Sequence, residues 1–272
     1  MRFDERNGSS VLGRAFRLLG ALEASSGELP LAELARRAGL PKPTAYRLAG
    51  QLVELGVLKQ SPDGYGLGTR LFEFGSAVAA YRHFREAAIP FMGDLYEATH
   101  QTVNLGVMDG LTVLYLEKLR SHKASPVTTA VGGHMPLHCT ALGKAMLAFA
   151  PPGVLQAAVE EGLSRQTART IVLPRLLSEE LQRARTDGFV FDREEYAAGT
   201  LCVAAPLRSS DGVAFAALSV TGVAKDWDPV RYAAAVRVTA LGLNRALLQG
   251  DYPAVTSYLA SKSAAASSGL SP

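Results

Sequence analysis

Leu34-Ala35-Arg36-Arg37-Ala38-Gly39-Leu40-Pro41-Lys42-Pro43-Thr44-Ala45-Tyr46-Arg47-Leu48 is the stretch from which the rest of the chain is organised. Before it, Pro30 sits where a first helical turn accepts proline, and Leu31, Leu34, Ala35 and Ala38 recur at helical spacing until Gly39 stops them. After it, residues 41–55 project Ala45, Leu48, Leu52 and Leu55 onto one stripe. Pro43, Tyr46, Arg47, Gly50 and Glu54 fall opposite, with Lys42 and Gln51 on the flanks. Upstream, Val11, Leu12, Ala15, Leu18, Leu19 and Leu22 predict a further amphipathic helix over 11–24. Three helices, the last two joined by a short glycine-containing turn, predict a helix-turn-helix. Val57–Gln60 and Tyr65–Leu67 flank Ser61-Pro62-Asp63-Gly64 and predict the hairpin "wing" that follows many such units.

A helix that enters a major groove needs hydrogen-bond donors near its N-terminal half and little bulk where backbones approach. Lys42 and Arg47 can reach phosphates or guanine, Thr44 and Tyr46 can bond phosphates or touch thymine methyl groups, and Gly50 permits close approach. The helix dipole adds a modest attraction for phosphate. Two basic residues alone would fit an ordinary solvated face; the turn, the preceding helix and the wing select double-stranded DNA as partner. The charge distribution agrees. Residues 1–70 hold ten Lys/Arg against seven Asp/Glu, and the remaining residues eighteen against eighteen, so the whole net charge of +3 lies in this first part.

A length of 272 residues is comfortable for two domains, and 48% apolar with 19% charged residues excludes wholesale disorder. No apolar run approaches the roughly 18–20 residues of a membrane span, so no membrane partner is expected. The charged start lacks the apolar core of a secretory signal. Cys139 and Cys202 are too few for a disulfide framework, and a cytoplasmic location is expected.

Beyond the wing, an apolar helix from Thr69 to about Tyr81 reads as a linker, with a domain boundary near residue 82. A helix over Glu86–Thr99 and strands Thr102–Met108 and Leu111–Lys118 around Asp109-Gly110 follow. Helices are predicted at Gly143–Phe149, Leu155–Gly162, Ser178–Asp187 and Pro229–Gln249, and strands at Phe189–Phe191, Leu201–Leu207 and Ala214–Val220. This order implies an α+β fold with an antiparallel sheet flanked by helices. The predicted division is 8–70 for the DNA-binding domain, 71–84 for the linker helix, 85–250 for the second domain and 251–272 for an Ala/Ser/Gly-rich disordered tail.

The 34–48 run, followed by Tyr65-Gly66-Leu67-Gly68, resembles the winged helix-turn-helix of the isocitrate lyase regulator (IclR) family of bacterial transcription factors. The second half matches in order: Pro136-Leu137-His138-Cys139-Thr140-Ala141-Leu142-Gly143-Lys144-Ala145, Asp192-Arg193-Glu194-Glu195 with Gly199, Ala204-Ala205-Pro206, and Ala217-Leu218-Ser219-Val220-Thr221-Gly222. The similarity spans about residues 10–248. Pro43 departs from it, since many relatives carry serine there, which removes a phosphate-contacting hydroxyl. The resemblance implies a homodimer or dimer of dimers whose GAF-like C-terminal domain binds a small organic acid and alters operator affinity, as repressor or activator. The positions it implies for effector binding are Ala141, Leu142, Asp192, Cys202, Ser219 and Thr221. In physical terms, backbone N–H groups at Ala141 and Leu142 would hold a carboxylate at a helix start. Ser219 and Thr221, two apart on a strand, would donate from one face. Asp192 would accept from a hydroxyl, and Leu142 would add apolar lining suited to an aromatic acid.

Other readings compete. Cys202 on an apolar strand fits a small buried hydrophobe, and Asp192-Arg193-Glu194-Glu195 fits the start of a helix. His138-Cys139 suggests a thiol enzyme, although neighbours on a strand point to opposite faces. His134, His138 and Cys139 suggest a zinc site without the usual tight spacing. Gly143-Lys144 lacks the earlier glycine and following hydroxyl of a phosphate loop, so no nucleotide site is expected; no cofactor is expected and no metal-ligating residue is assigned. A DNA-binding protein without a ligand would have little use for a large charge-neutral second domain.

Overall fold

A computed structural model describes residues 10–25, 27–122, 129–151, 153–225 and 227–249; the predicted tail and the first nine residues lie outside them. The chain divides into two units, Met1–Ala79 and Ala80–Pro272.

In the first unit, α1 (Val11–Glu23), α2 (Leu31–Arg37) and α3 (Lys42–Glu54) follow the predicted order. The Ser10 hydroxyl accepts the Gly13 N–H at 2.9 Å and caps α1. Pro30 and Pro41 immediately precede α2 and α3, and Gly39 takes φ +61° between them. Leu18, Leu22, Leu34, Ala35, Ala45, Leu48, Ala49, Leu58 and Tyr65 form the core. The α3 stripe differs from the projected one at its end. Leu55 is exposed because the helix stops at Glu54, and Ala49 is buried instead.

The wing pairs β1 (Leu58–Ser61) with β2 (Gly64–Leu67), Ser61 opposite Gly64, which leaves the two-residue turn Pro62-Asp63. Tyr65 and Leu29 exchange both backbone hydrogen bonds at 2.9 Å, tying the wing to the segment before α2. Glycine is required at position 64: its φ is +137°, and a Cβ would stand 2.2 Å from the Leu29 carbonyl oxygen. Helix α4 (Thr69–Ser76) buries no residue and leaves Phe72 and Phe74 exposed.

In the second unit, α5 runs Ala79–Thr99. It begins well before the predicted Glu86, and α4 ends short of the predicted Tyr81. Burial explains the extension. Phe84, Ala88, Met92 and Leu95 recur on one face and carry the helix through Pro90, whose absent N–H removes one ladder bond. Strands β3 (Thr102–Asp109), β4 (Thr112–Leu119), β5 (His134–Pro136), β6 (Val190–Arg193), β7 (Thr200–Arg208) and β8 (Ala214–Val223) form one antiparallel sheet in the order β5-β4-β3-β8-β7-β6. The short β5 had no sequence signal. Asp192-Arg193-Glu194-Glu195 is not a helix start: β6 ends at Arg193, and Glu194 turns with φ +63°.

Alternate strand residues build two separate cores. Val103, Leu105, Val203, Ala205, Leu218 and Val220 pack with α5 and α9 (Val230–Gln249). The intervening positions pack with α6 (Ala141–Leu147), α7 (Val154–Glu161) and α8 (Pro174–Asp187). One irregularity matters. Leu105 pairs with Glu117 but the next residue, Gly106, pairs with Tyr115, so Leu116 is an extra residue in β4. That bulge puts Tyr115 and Lys118 on the same face, which strict alternation forbids. Two glycines let α6 close onto this face. A Cβ at Gly106 would meet Val113 at 2.6 Å and Leu142 at 3.1 Å, and one at Gly143 would meet the Leu137 carbonyl oxygen at 2.2 Å.

Candidate functional site

In the first unit, Lys42, Pro43, Tyr46 and Arg47 stand exposed along the N-terminal half of α3, with Thr44 half-buried beside them. Pro43 occupies the first turn, where a backbone N–H would have no intrahelical partner. Basic residues nearby are not equivalent. Arg36 and Arg37 are both tied to Glu33 at 2.6 Å, whereas among the described residues neither Lys42 nor Arg47 is held in an ion pair. The uncommitted positive charge of these helices therefore stands on the exposed face of α3.

In the second unit, a cavity lies between the sheet and α6, with about 480 Å³ of empty space including its solvent-open part. All six residues expected for effector contact line it. Ala141 and Leu142 come from α6, Asp192 from β6, Cys202 from β7, and Ser219 and Thr221 from β8. The register explains the convergence: Asp192, Cys202, Thr221 and Thr102 are successive cross-strand partners, and Ala204, Ser219, Asn104 and Lys118 form the adjacent row.

The Asp192 Oδ1 accepts the Glu195 N–H at 2.7 Å. Burial nevertheless pushes its carboxyl up to about 7, with the Glu195 charge adding to the shift and the Lys144 ammonium opposing it. The Cys202 thiol accepts from the Thr221 hydroxyl at 3.2 Å, and burial drives its pKa upward, so it stays a neutral thiol. Beneath the cavity, Lys144 is fully buried and bonds Glu195 at 2.5 Å, with Glu180 at 3.7 Å. Thr140 caps α6 by accepting the Gly143 N–H at 3.1 Å, which leaves one donor fewer at the helix start for an anion.

Several lining residues carried no sequence signal. Asn104 sits amid the apolar residues of β3, Lys118 reads as a strand-end lysine, and Tyr115 reads as facing away from it. Thr102, Thr129, Thr140, Tyr196 and Thr200 complete the polar lining. Asn104 was the most accessible clue, as a buried amide on a strand demands partners.

The thiol-enzyme reading fails on geometry. Cys139 is fully buried and its thiol is pushed up to about 12 by burial, with the charges of Asp192 and Glu195 adding. The His138 Nε2 bonds the Ser164 carbonyl at 3.0 Å. His134 stands apart on β5 with its Nδ1 on the Thr112 hydroxyl at 2.8 Å. Among the described residues no three His, Cys, Asp or Glu side chains converge as metal ligands. No described helix is long and apolar enough to cross a membrane.

A winged helix-turn-helix followed by an α+β domain with an internal cavity is the architecture of a bacterial DNA-binding transcriptional regulator. Comparison with known proteins makes this specific. Residues 11–62 match the IclR helix-turn-helix domain and residues 76–244 the bacterial transcriptional regulator IclR C-terminal domain, so the chain belongs to the IclR family. The HTH-type transcriptional regulator BhcR of Paracoccus denitrificans is 33% identical over 222 residues, covering 80% of this chain and 79% of that protein. The transcriptional repressor IclR of Escherichia coli is 31% identical over 216 residues, covering 78% and 79%. Among solved structures, an IclR homolog from Microbacterium hydrocarbonoxydans complexed with 4-hydroxybenzoate superposes with a TM-score of 0.80 at 29% identity, covering 88% of this chain and 99% of that one.

Proposed function

We propose that this protein is a ligand-responsive regulator that senses a small organic acid and changes its affinity for a pseudo-palindromic operator. One observation carries the reading: Ala141, Leu142, Asp192, Cys202, Ser219 and Thr221, drawn from four separate elements, line one cavity. The 4-hydroxybenzoate held by the Microbacterium relative supports an aromatic acid as the effector. Lys42, Pro43, Thr44, Tyr46 and Arg47 would face the operator, with Lys42 and Arg47 supplying the charge.

A homodimer, or a dimer of dimers, would present two α3 helices to half-sites about one turn (~34 Å) or a multiple apart. Val11, Leu12 and Phe16 on α1 and Phe72 and Phe74 on α4 are exposed, and such apolar surface supports self-association. Effector occupancy would pass to the DNA-binding unit through α4 and α5. A coupling of roughly 1–3 kcal/mol would change operator affinity about 5- to 150-fold. The change requires only that the effector bind one arrangement better than the other.

The test is binding of the full chain to the intergenic DNA upstream of its own gene, at several salt concentrations, with and without 4-hydroxybenzoate and other small acids. Sequence-selective binding that Arg47→Ala weakens, and whose strength an acid alters, is the expected result. Binding without sequence preference at any salt would sink the regulator reading. A response that persists in the Asp192→Ala, Ser219→Ala double variant would refute the assigned pocket.

A further inference from the structure

The cavity has two polar ends on different strands. Asp192 stands on the edge strand β6, and Lys118 on β4, beyond β7, β8 and β3. The side chain of Lys118 is half-buried, and its Nζ donates to the Thr129 carbonyl at 2.9 Å and hydroxyl at 2.7 Å. An ammonium carries three donors, so one remains free. Among the described residues no carboxylate forms an ion pair with it, whereas its neighbour Glu117 turns to the other face and pairs with Arg85 at 2.6 Å. A cation is thus fixed in the wall of a cavity with no counter-ion beside it among the described residues.

Its cross-strand partner, Asn104, is only 3% exposed and lines the same cavity. One end of the Asn104 amide is committed, with Nδ2 donating to the Ser219 hydroxyl at 3.3 Å and the Thr221 hydroxyl at 3.1 Å. The other end, Oδ1, has no hydrogen-bond partner among the described residues. A half-turn of the amide lets the Ser219 hydroxyl donate to Oδ1 while Thr221 keeps its bond to Cys202, and it presents the NH₂ to the cavity beside Lys118. A buried polar atom left unpaired is costly, and a ligand group that pairs it removes that cost.

We propose that Lys118 binds the carboxylate of the effector, with Asn104 as the adjoining donor, so that the acid enters this end of the cavity rather than sitting on the backbone at the start of α6. The proposal rests on the effector reading above and deepens it. The cavity is selective for anions, and the charge that makes it so comes from a residue outside the six expected ones. Burial, with Arg120 contributing, lowers the pKa of Lys118, and an arriving carboxylate reverses that shift and holds the ammonium charged. Ser219 then acts partly through Asn104, whose amide it orients.

The experiment compares matched acids and neutral amides by calorimetry on the full chain: 4-hydroxybenzoate against 4-hydroxybenzamide, benzoate against benzamide, pyruvate against pyruvamide. The wild-type chain is expected to prefer the acid of at least one pair by about tenfold or more, the scale of a charge-assisted hydrogen bond. Lys118→Met should remove that preference while leaving amide affinity within about twofold, and Lys118→Arg should restore most of it. Asn104→Asp, which supplies Lys118 with an internal carboxylate, should also weaken acid binding selectively. It serves as the check if Lys118→Met fails to fold. Acid preference that survives both Lys118→Met and Asn104→Asp overturns the proposal and leaves the effector reading standing. Equal binding of acid and amide by the wild type overturns it as well. If no member of the panel binds the wild type, the organic-acid reading itself falls, and the assignment of Lys118 with it.

Discussion

The two faces of the six-stranded sheet are made from alternate residues of the same strands, yet they have opposite characters. Toward α5 and α9, Val103, Leu105, Val203, Leu218 and Val220 present a packed apolar layer. Toward α6, the residues between them include Thr102, Asn104, Cys202, Ser219 and Thr221 around a cavity. One face spends its area on packing, which stabilises the domain; the other keeps polar groups incompletely matched, which is what a ligand can use. Stability and recognition are thus separated by a two-residue period rather than by distance along the chain.

The largest expected difference is in stability. Phe84→Ala, which empties a fully buried ring site stacked edge-on against Phe215, should cost about 3–5 kcal/mol in denaturant unfolding. A loss near zero would mean that this layer does not carry the fold. Next in size is a pH effect. Asp192 titrates near 7 in the folded chain and near 4 unfolded, so between those values the folded state holds a proton that the unfolded state has lost. The contribution of Asp192 to stability should therefore fall as pH rises from about 4 to 7, by up to a few kcal/mol. Asp192→Asn keeps the Oδ1 acceptor for the Glu195 N–H and should remove that slope. Parallel pH profiles for the two proteins would refute the buried neutral carboxyl.

Smaller still is the cost of losing a cavity-face hydroxyl. Ser219→Ala should change stability by only about 1 kcal/mol, against 2–5 for Leu218→Ala on the opposite face. Comparable losses would erase the division between the faces. Least in energy is Arg47→Ala in the other unit, which should lower the slope of log affinity against log salt by about 0.9 for the phosphate contact removed. An unchanged slope would take Arg47 off the DNA backbone.

The parts legible in the sequence are those written locally. The helix-turn-helix and wing follow from helical spacing, two prolines, Gly39 and the Pro-Asp-Gly turn, all within a few residues of what they control. The effector-side residues were reached only through family motifs, because Asp192, Cys202 and Ser219 meet through strand register set far along the chain. Lys118 escaped both routes: strict alternation sets it opposite Tyr115, and only the extra residue Leu116 brings the two together. Helix α5 begins earlier than its pattern suggested because Phe84 finds a buried site on the sheet, a tertiary fact. The Asp192-Arg193-Glu194-Glu195 run has the acidity of a helix start, but pairing with β7 overrides that preference.

The bulge at Leu116 decides which of two adjacent, oppositely charged residues faces inward. A slip of one residue in β4 would bring Glu117 to the cavity and carry Lys118 to the far side, turning a wall that attracts acids into one that attracts amines. The Arg85–Glu117 pair, reaching from α5 to the far side of the strand, resists that slip. Arg85 does not line the cavity, yet its bond to Glu117 holds that carboxylate on the far side of the strand from Lys118.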